Sequence, residues 1–291
     1  MDSKKATTND KTIAIARIPQ FLGLHAKPSV PLSWFLVLIP FIFLICIYML
    51  SSDIRHKKNP SDKILPSITQ MATAMKRAAF EQNKRTGEYQ LWTDTAVSLK
   101  RIGIGLSASA LCGLFLGLHL GLLPGIRKLL LPFTTFVSII PPLAVLPILF
   151  VVFGVDELAK VILIFIGTFP MISRDIYLAV SRIPEEQIIK SLTLGASQPA
   201  VAFRVIVPQI MPKLIDTIRI NMGPAWLFLI ASEAIAATSG LGYRVFLVRR
   251  YLAMDMIIPY VLWIVLIGLL IDWGLKSIVR YRYGWYLVAR E

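Results

Sequence analysis

Three long stretches without a charged residue constrain this chain more than any other feature. Lys, Arg, Asp and Glu are all missing from residues 28–52, 102–126 and 129–155. A bilayer core about 30 Å thick needs roughly 20 apolar residues in a helix, so each stretch is long enough to cross it. The chain is also 56% hydrophobic and 16% charged, whereas soluble domains are about 25% charged. The sequence therefore predicts an all-α integral membrane protein.

Apolar runs and their polar boundaries predict six transmembrane helices. The predicted spans are residues 31–51, 99–122, 127–153, 157–180, 212–238 and 256–277. We expect the first span to stand apart from a five-helix core at 99–280, separated from it by the polar segment 52–98. Within that segment, helical spacing of apolar residues predicts a short helix on the membrane surface. The residues with this spacing are Ile68, Met71, Met75 and Ala79.

The third predicted span contains four prolines, and the second ends in a regular series of glycines. A proline inside a helix removes a backbone hydrogen bond and kinks the helix. In lipid, the freed carbonyls are tolerated where protein or a water-filled cavity satisfies them. The prolines therefore place the third span in a bundle beside a pathway, or mark a bent structural helix. The spacing of Gly113, Gly117 and Gly121 favours close helix packing within the chain over a dimer contact.

Basic residues near the span ends favour a cytoplasmic N-terminus by the positive-inside rule. Residues 1–30 and 281–291 are then cytoplasmic tails and 181–211 is a cytoplasmic loop, while 52–98 and 239–255 lie outside. The distribution of basic residues does not follow this rule everywhere, because the predicted outside segment 52–98 is itself basic. The net charge of +14 indicates contact with anionic lipid rather than with nucleic acid. We expect a multi-pass protein of a bacterial inner membrane.

Several classes of function lack their usual residues. The two cysteines and three histidines are scattered, which gives no ligand spacing for a metal. Converging nucleophiles and bases, which a membrane enzyme needs, are also missing from the pattern. A secondary transporter driven by an ion gradient remains an alternative, although inverted repeats and paired broken helices are not evident. The nucleotide-binding pattern G-x-x-x-x-G-K-[ST] does not occur, so ATP would have to be hydrolysed by another subunit.

The predicted cytoplasmic loop at 181–211 contains signals for a short, capped helix. Pro184 suits a first helical position, and Glu185 and Glu186 complement the positive end of the helix dipole. Gly195 can close the helix in a left-handed cap. The apolar stripe of this helix consists of Ile188, Ile189 and Leu192. The segment is either a rigid protruding helix that a soluble partner binds or an ordinary amphipathic helix within a loop.

This loop resembles the EAA loop of ABC-importer permeases. That pattern is Glu-Ala-Ala, three residues, Gly, a nine-residue spacer and Ile-x-Leu-Pro. Gly195 and Pro208 stand at the matching places, and Val205 and Val207 take the positions of the Ile and the Leu. The Glu-Ala-Ala triplet is replaced by the sequence IKS at 189–191, so a contact made by the family's Glu is not expected here.

Two further motifs extend the resemblance to most of the chain, about 65–285. The sequence PPLAVLP at 141–147, and SEA at 232–234 with SGLGY at 239–243, resemble the nitrate/sulfonate/taurine/bicarbonate permease family. The resemblance implies a type I ABC-importer permease fold. It implies a second permease copy, two ATPase subunits bound through the 181–211 loop, and a periplasmic solute-binding protein. ATP and Mg would bind to the ATPase partners, with no cofactor in this chain.

The resemblance and the span positions together give two sets of candidate site residues. The coupling-loop set is Pro184, Glu186, Ile189, Leu192, Gly195, Ala196, Val205 and Pro208. The translocation-pathway or gate set is Pro142, Pro147, Asn221, Glu233, Ser239 and Tyr243.

Ionisable residues within spans are the remaining functional candidates. Glu233 lines a gate or forms an ion pair with an arginine of the outer mouth, such as Arg244. Arg174 and Asp175 are expected to form ion pairs with other helices. The family implies a small oxyanion or sulfonate as the solute. Glu233 and Asp175 suit a cationic or neutral nitrogen compound equally well, of a guanidine, urea or thiamine-precursor type.

Overall fold

The computed structural model describes residues 29–59, 62–83 and 87–288, which form an all-α structure. Before the bundle core come α1 (Val30–Lys58) and α2 (Ile68–Phe80). The core helices follow as α3 (Gln90–Leu122), α4 (Pro124–Ile139), α5 (Pro142–Phe153) and α6 (Glu157–Ser181). The remaining elements are α7 (Glu185–Thr193), α8 (Gln198–Val201), a π-helical turn (Ala202–Ile206), α9 (Val207–Ala236), α10 (Leu241–Arg249), α11 (Met254–Arg282) and α12 (Gly284–Val288). Almost all of the predicted tail 1–30 lies outside the described residues.

Within the described residues, five helical stretches are long and apolar enough to cross a membrane. They are α1, α3, α6, the continuous stretch Gln198–Ala236, and α11, with a sixth if the bent pair α4 and α5 forms one span. The six-helix prediction is confirmed when α4 and α5 are counted together as one span. Several spans were predicted shorter than the helices that contain them. Helix α3, for example, begins at Gln90 rather than 99 and includes the buried Asp94.

The prediction of one span at 127–153 is wrong as a continuous helix. Helices α4 and α5 meet at an angle of 93°. Ile140 and Pro141 between them are extended, with ψ of 121° and 117°. Each proline of the Pro141–Pro142 pair pushes the residue before it out of the helical region. Two successive extended residues therefore turn a kink into a sharp break.

Close packing of α3 against α6 forms the centre of the bundle. A Cβ atom added at Gly113 would lie 2.7 Å from Cγ2 of Ile172, and one at Gly117 would lie 2.7 Å from Cβ of Ile176. The glycines thus let the two backbones approach as the spacing predicted. Packing within the chain is confirmed. Apolar side chains between α3, α6 and α9 complete two buried clusters, in which Leu163 and Leu229 are fully enclosed.

The predicted helix in the segment 52–98 is confirmed as α2. Its first turn is closed by a capping box, in which Ser67 and Gln70 each accept a hydrogen bond from the other's backbone N–H. Ala74, Ala78 and Ala79 are buried on its inner face, in a unit that spans 62–291. Its position on a membrane surface stays a prediction. Helix α1 belongs to a separate unit, 1–61, and its apolar side chains are exposed.

Candidate functional site

Helix α7 is the element that the coupling-loop prediction concerns. It begins at Glu185, one residue later than predicted, because Pro184 stands at the position before the first helical residue. Glu185 and Glu186 fall in the first turn, where their negative charge complements the helix dipole. The proline fixes the entry of the chain, and the two acids stabilise a helix of nine residues.

The end of α7 is closed by a set of backbone hydrogen bonds known as a Schellman motif. Gly195 has a φ of +87°, a conformation that glycine adopts without strain. Its N–H donates to the Leu192 carbonyl at 2.9 Å, and the N–H of Ala196 donates to the Ser191 carbonyl at 3.1 Å. These are the two bonds that define the motif. The predicted left-handed cap at Gly195 is confirmed.

One side of α7 packs on the bundle and the other carries exposed apolar side chains. Ile188 packs against the buried cluster of α3, α6 and α9, and Gln187 accepts a hydrogen bond from Gln209 of α9. Ile189 is 58% exposed, Leu192 41% and Leu194 88%. A group of exposed large apolar residues on and directly after a short helix is typical of a surface that binds another protein or a membrane.

The coupling-loop residues Val205 and Pro208 lie inside a helix rather than in a loop. The chain is helical from Gln198 onwards, so the predicted start of the fifth span at 212 is too late. The π-helical turn Ala202–Ile206 comes directly before the turn that contains Pro208. A proline ring clashes with the carbonyl four residues earlier in a regular α-helix, and a wider turn relieves that clash.

Glu233 is completely buried near the Ala236 end of α9. Its carboxylate accepts hydrogen bonds from Ser98 Oγ at 2.8 Å, Arg101 Nη1 at 2.7 Å and the backbone N–H of Gly242 at 2.8 Å. The buried charge is thus paired and fully hydrogen-bonded, as burial of an ion requires. Glu233 forms an ion pair, but with Arg101 rather than with Arg244 as predicted.

Arg101 joins three helices through its guanidinium group. The group is 2% exposed and lies between Glu233 of α9 and Glu157 of α6. Nε and Nη2 donate to the two carboxylate oxygens of Glu157 at 2.6 and 2.5 Å. Nη1 also donates to the backbone carbonyl of Ser239 at 2.8 Å. We call the set Asp94, Ser98, Arg101, Glu157, Glu233 and Arg244 the ion-pair cluster.

Arg244 binds Asp94 instead of Glu233. Arg244 Nε donates to Asp94 Oδ2 at 2.8 Å, and Asp94 also accepts from the backbone N–H of Gly240. Gly240 has a φ of +124°, and a Cβ there would lie 2.6 Å from the Glu233 carboxylate. The glycine turn directs α10 over α3, which brings Arg244 to Asp94 and leaves Glu233 to Arg101.

The structure places the other predicted pathway residues in different surroundings. Asn221 is 4% exposed, and its amide donates to the Thr217 carbonyl. Pro142 begins α5, and Pro147 lies on the exposed side of that helix. Tyr243 lines a cavity of about 290 Å³ together with Arg249 and Arg250. The pathway role of this set stays a prediction.

Asp175 forms the predicted contact with another helix. Its carboxylate accepts from Thr217 Oγ1 at 3.2 Å and lies 3.8 Å from Lys213 Nζ, both residues of α9. A second charged group between α9 and α11 was not predicted. It contains Asp216, Arg219 and Asp272. The available signal was the presence of ionisable residues inside predicted spans. In the described part of the chain, His, Cys, Asp and Glu form no group able to hold a metal ion.

Comparisons with known proteins agree on one family. Residues 109–281 match the family described as binding-protein-dependent transport system inner membrane component. The taurine transport system permease protein TauC of Escherichia coli K12 is 34% identical over 196 residues, which cover 67% of this chain and 71% of that protein. A putative aliphatic sulfonates transport permease, SsuC of the same organism, is 29% identical over 87% of this chain and 94% of its own length.

A solved structure supports the fold. The MetNI methionine ABC transporter, in an inward-facing conformation, contains a chain that superimposes with a TM-score of 0.53 at 20% identity. The match covers 63% of this chain and 93% of that one. Together with the candidate spans, it shows a multi-pass inner-membrane protein with the type I importer permease fold. The chain therefore belongs to the family of inner-membrane permease components of binding-protein-dependent ABC importers.

Proposed function

We propose that this permease forms the pathway of an importer for small sulfonates or related oxyanions. Two copies pair, each docks one ATPase subunit through α7, and a periplasmic binding protein delivers the solute. The N- and C-termini and α7 lie on the cytoplasmic side. The observation that carries the proposal is the exposed apolar surface of a capped helix, at a place where the sequence resembles the family's ATPase-binding loop.

The ATPase partner is needed because the sequence holds no nucleotide-binding loop. Helix α7 meets the requirements of a docking element. It keeps its shape through its own backbone bonds at Gly195, and it presents Ile189 and Leu194 to the surroundings. A rigid apolar surface lowers the entropic cost of binding, because little has to be ordered on contact.

The charges around the bundle favour an anionic group on the solute. Glu233 and Asp175 were the residues that suited a cationic compound, and both are occupied by basic partners. Positive charge is available elsewhere, because the cavity beside Tyr243 contains Arg249 and Arg250. The names of the similar permeases, for taurine and for aliphatic sulfonates, point in the same direction.

The substitution Gly195→Val tests the coupling role of α7. A β-branched residue resists a φ of +87°, so the end of α7 should fray where the ATPase binds. We expect solute uptake by the reconstituted importer to fall at least tenfold while the permease still assembles in the membrane. The matched control is Gly103→Val, at an exposed helical glycine where a Cβ meets open space. Normal uptake by an assembled Gly195→Val importer would show that α7 is not the coupling element.

A further inference from the structure

A cavity of about 370 Å³ lies between the end of α6, the first turns of α9 and helix α12. Its charged lining residues are Asp175, Arg182 and Lys213. None of them belongs to the ion-pair cluster or to the exposed surface of α7. We call this space the Arg182 cavity.

Arg182 supplies the cavity with a positive charge that no acidic side chain neutralises. The residue is exposed, and within residues 29–59, 62–83 and 87–288 its guanidinium group has no hydrogen-bond or ion-pair partner. A guanidinium group presents five N–H donors in a planar arrangement that matches the oxygens of a phosphate group. All of these donors are available to a ligand.

Lys213 is the second basic group of the cavity, and its ion pair is loose. Its Nζ lies 3.8 Å from Asp175 Oδ2, which is beyond hydrogen-bonding distance, and 29% of its side chain is exposed. Asp175 also accepts a hydrogen bond from Thr217 Oγ1 at 3.2 Å. Two basic groups against one acid leave the cavity positively charged, so it favours an anion over a cation.

Apolar side chains form the wall beside these charged groups. Leu178, Ile183 and Ile210 line the same cavity. A wall of this kind gives a small hydrated anion nothing to bind. It suits an amphiphile instead, because the anionic group and the hydrocarbon part of such a ligand are separated in the same way as the two parts of the lining.

The segment that leads into α12 has the composition of a membrane interface. Residues 273–286 contain three basic residues, five tryptophans or tyrosines and no acid. Tyr281 is 95% exposed, and Trp285, which lines the cavity, is 54% exposed. Trp and Tyr are enriched where lipid headgroups meet the hydrocarbon core, and basic residues close to a span attract acidic lipids. The rim of the cavity is therefore suited to a lipid headgroup.

We propose that the Arg182 cavity binds an anionic phospholipid. The phosphate group contacts Arg182 and Lys213, and the glycerol with the first methylenes of an acyl chain covers the apolar wall. Binding pockets for small molecules begin at about 300 Å³, so the volume suits this part of a lipid. Gln209 also lines the cavity, and its amide donates to Gln187 of α7 at 3.1 Å. A bound lipid thus lies beside the base of α7, whichever solute the permease imports.

The test measures ligand binding to the full-length permease in detergent micelles at constant ionic strength. The probes are phosphatidylglycerol, which has a net negative charge, phosphatidylcholine, which has none, and glycerol phosphate, which has no acyl chain. We expect the unaltered permease to bind phosphatidylglycerol at least tenfold more tightly than either of the other two. This order of affinities requires both the positive charge and the apolar wall.

Variants assign the binding to the cavity. Arg182→Gln should weaken the binding of phosphatidylglycerol at least fivefold, and Trp285→Ala, at the exposed rim, at least twofold. Arg204→Gln is the matched control, because Arg204 is also exposed and lies on the π-helical turn outside the cavity. It removes the same charge and should change the affinity less than twofold. An unchanged aggregation temperature without lipid verifies that each variant is folded.

Three results would overturn the proposal. An equal loss of affinity in Arg182→Gln and Arg204→Gln would show attraction to the overall positive charge rather than to a site. Glycerol phosphate that binds as tightly as phosphatidylglycerol would assign the cavity to a soluble phosphate compound. If Arg182→Gln keeps its affinity for phosphatidylglycerol but no longer retains the ATPase subunit in a pull-down, the cavity belongs to the ATPase contact.

Discussion

The ion-pair cluster and helix α7 are stabilised in opposite ways. In the cluster, the contacts join residues far apart in the chain: Arg101 bonds Glu157 across 56 positions and Glu233 across 132. In α7, the defining bonds join residues three to five positions apart around Gly195. The cluster is therefore part of the global fold, whereas α7 is a local structure that depends little on it. Variants in the two regions should separate folding from coupling.

The largest effect is expected from Arg101→Ala. The substitution leaves the fully buried Glu233 without its charged partner, and breaking a buried pair costs about 3–5 kcal/mol. We expect a marked loss of folded permease in detergent, measured as a drop in the temperature at which half of the protein aggregates. The neighbouring exposed residue provides the control, as Lys100→Ala should behave like the unaltered chain. A fully stable Arg101→Ala protein would show that the cluster does not hold the helices together.

An intermediate effect is expected from Gly117→Val, which tests whether packing contributes to the same global fold. A Cβ at this position would lie 2.7 Å from the carbonyl oxygen of Ser173 and from Cβ of Ile176. Overpacking of this kind costs about 1–3 kcal/mol. The aggregation temperature should fall less than for Arg101→Ala. Gly103→Val has open space around its Cβ, and an equal loss in that protein would point to helix propensity rather than to contact between α3 and α6.

The smallest effect on stability is expected from Leu194→Ser. Its side chain is 88% exposed, and surface substitutions usually change stability by less than about 0.5 kcal/mol. Binding of the ATPase subunit should nevertheless weaken, because an apolar contact is lost. A pull-down of the ATPase by the permease measures this, with Ser191→Ala in α7 as a control. Normal binding by both proteins would place the ATPase contact elsewhere on the permease.

Much of the fold followed from local features of the sequence. Apolar runs located the membrane-spanning helices, and the glycine series predicted the contact of α3 with α6. The cap at Gly195 was also a local property, as it depends on backbone geometry within six residues. The double proline at 141–142 signalled an irregular span, but its 93° angle depends on two successive extended residues. A count of prolines does not supply that angle.

The partners of the buried charges could not be read from the sequence. Arg244 was named for Glu233 as an arginine of the predicted outer mouth, whereas the observed partner Arg101 lies on α3. The positive φ of Gly240 and the course of α10 decide which arginine reaches Glu233. Neither feature is signalled by a regular pattern in the sequence. The charges of α9 and α11 were missed as a group for the same reason. Asp272 reaches Arg219 only once the two helices are packed together.

The unbroken helical stretch from Gln198 to Ala236 has a mechanical consequence. Its 39 residues extend roughly 58 Å at 1.5 Å per residue. Gln209, in the first third of the stretch, bonds α7, and Glu233, near the other end, is held in the ion-pair cluster. If the stretch moves as one rigid rod, Glu233 is the point around which it tilts. A tilt of about 5° around that point would move the Gln198 end by about 5 Å, close to the pitch of one helical turn.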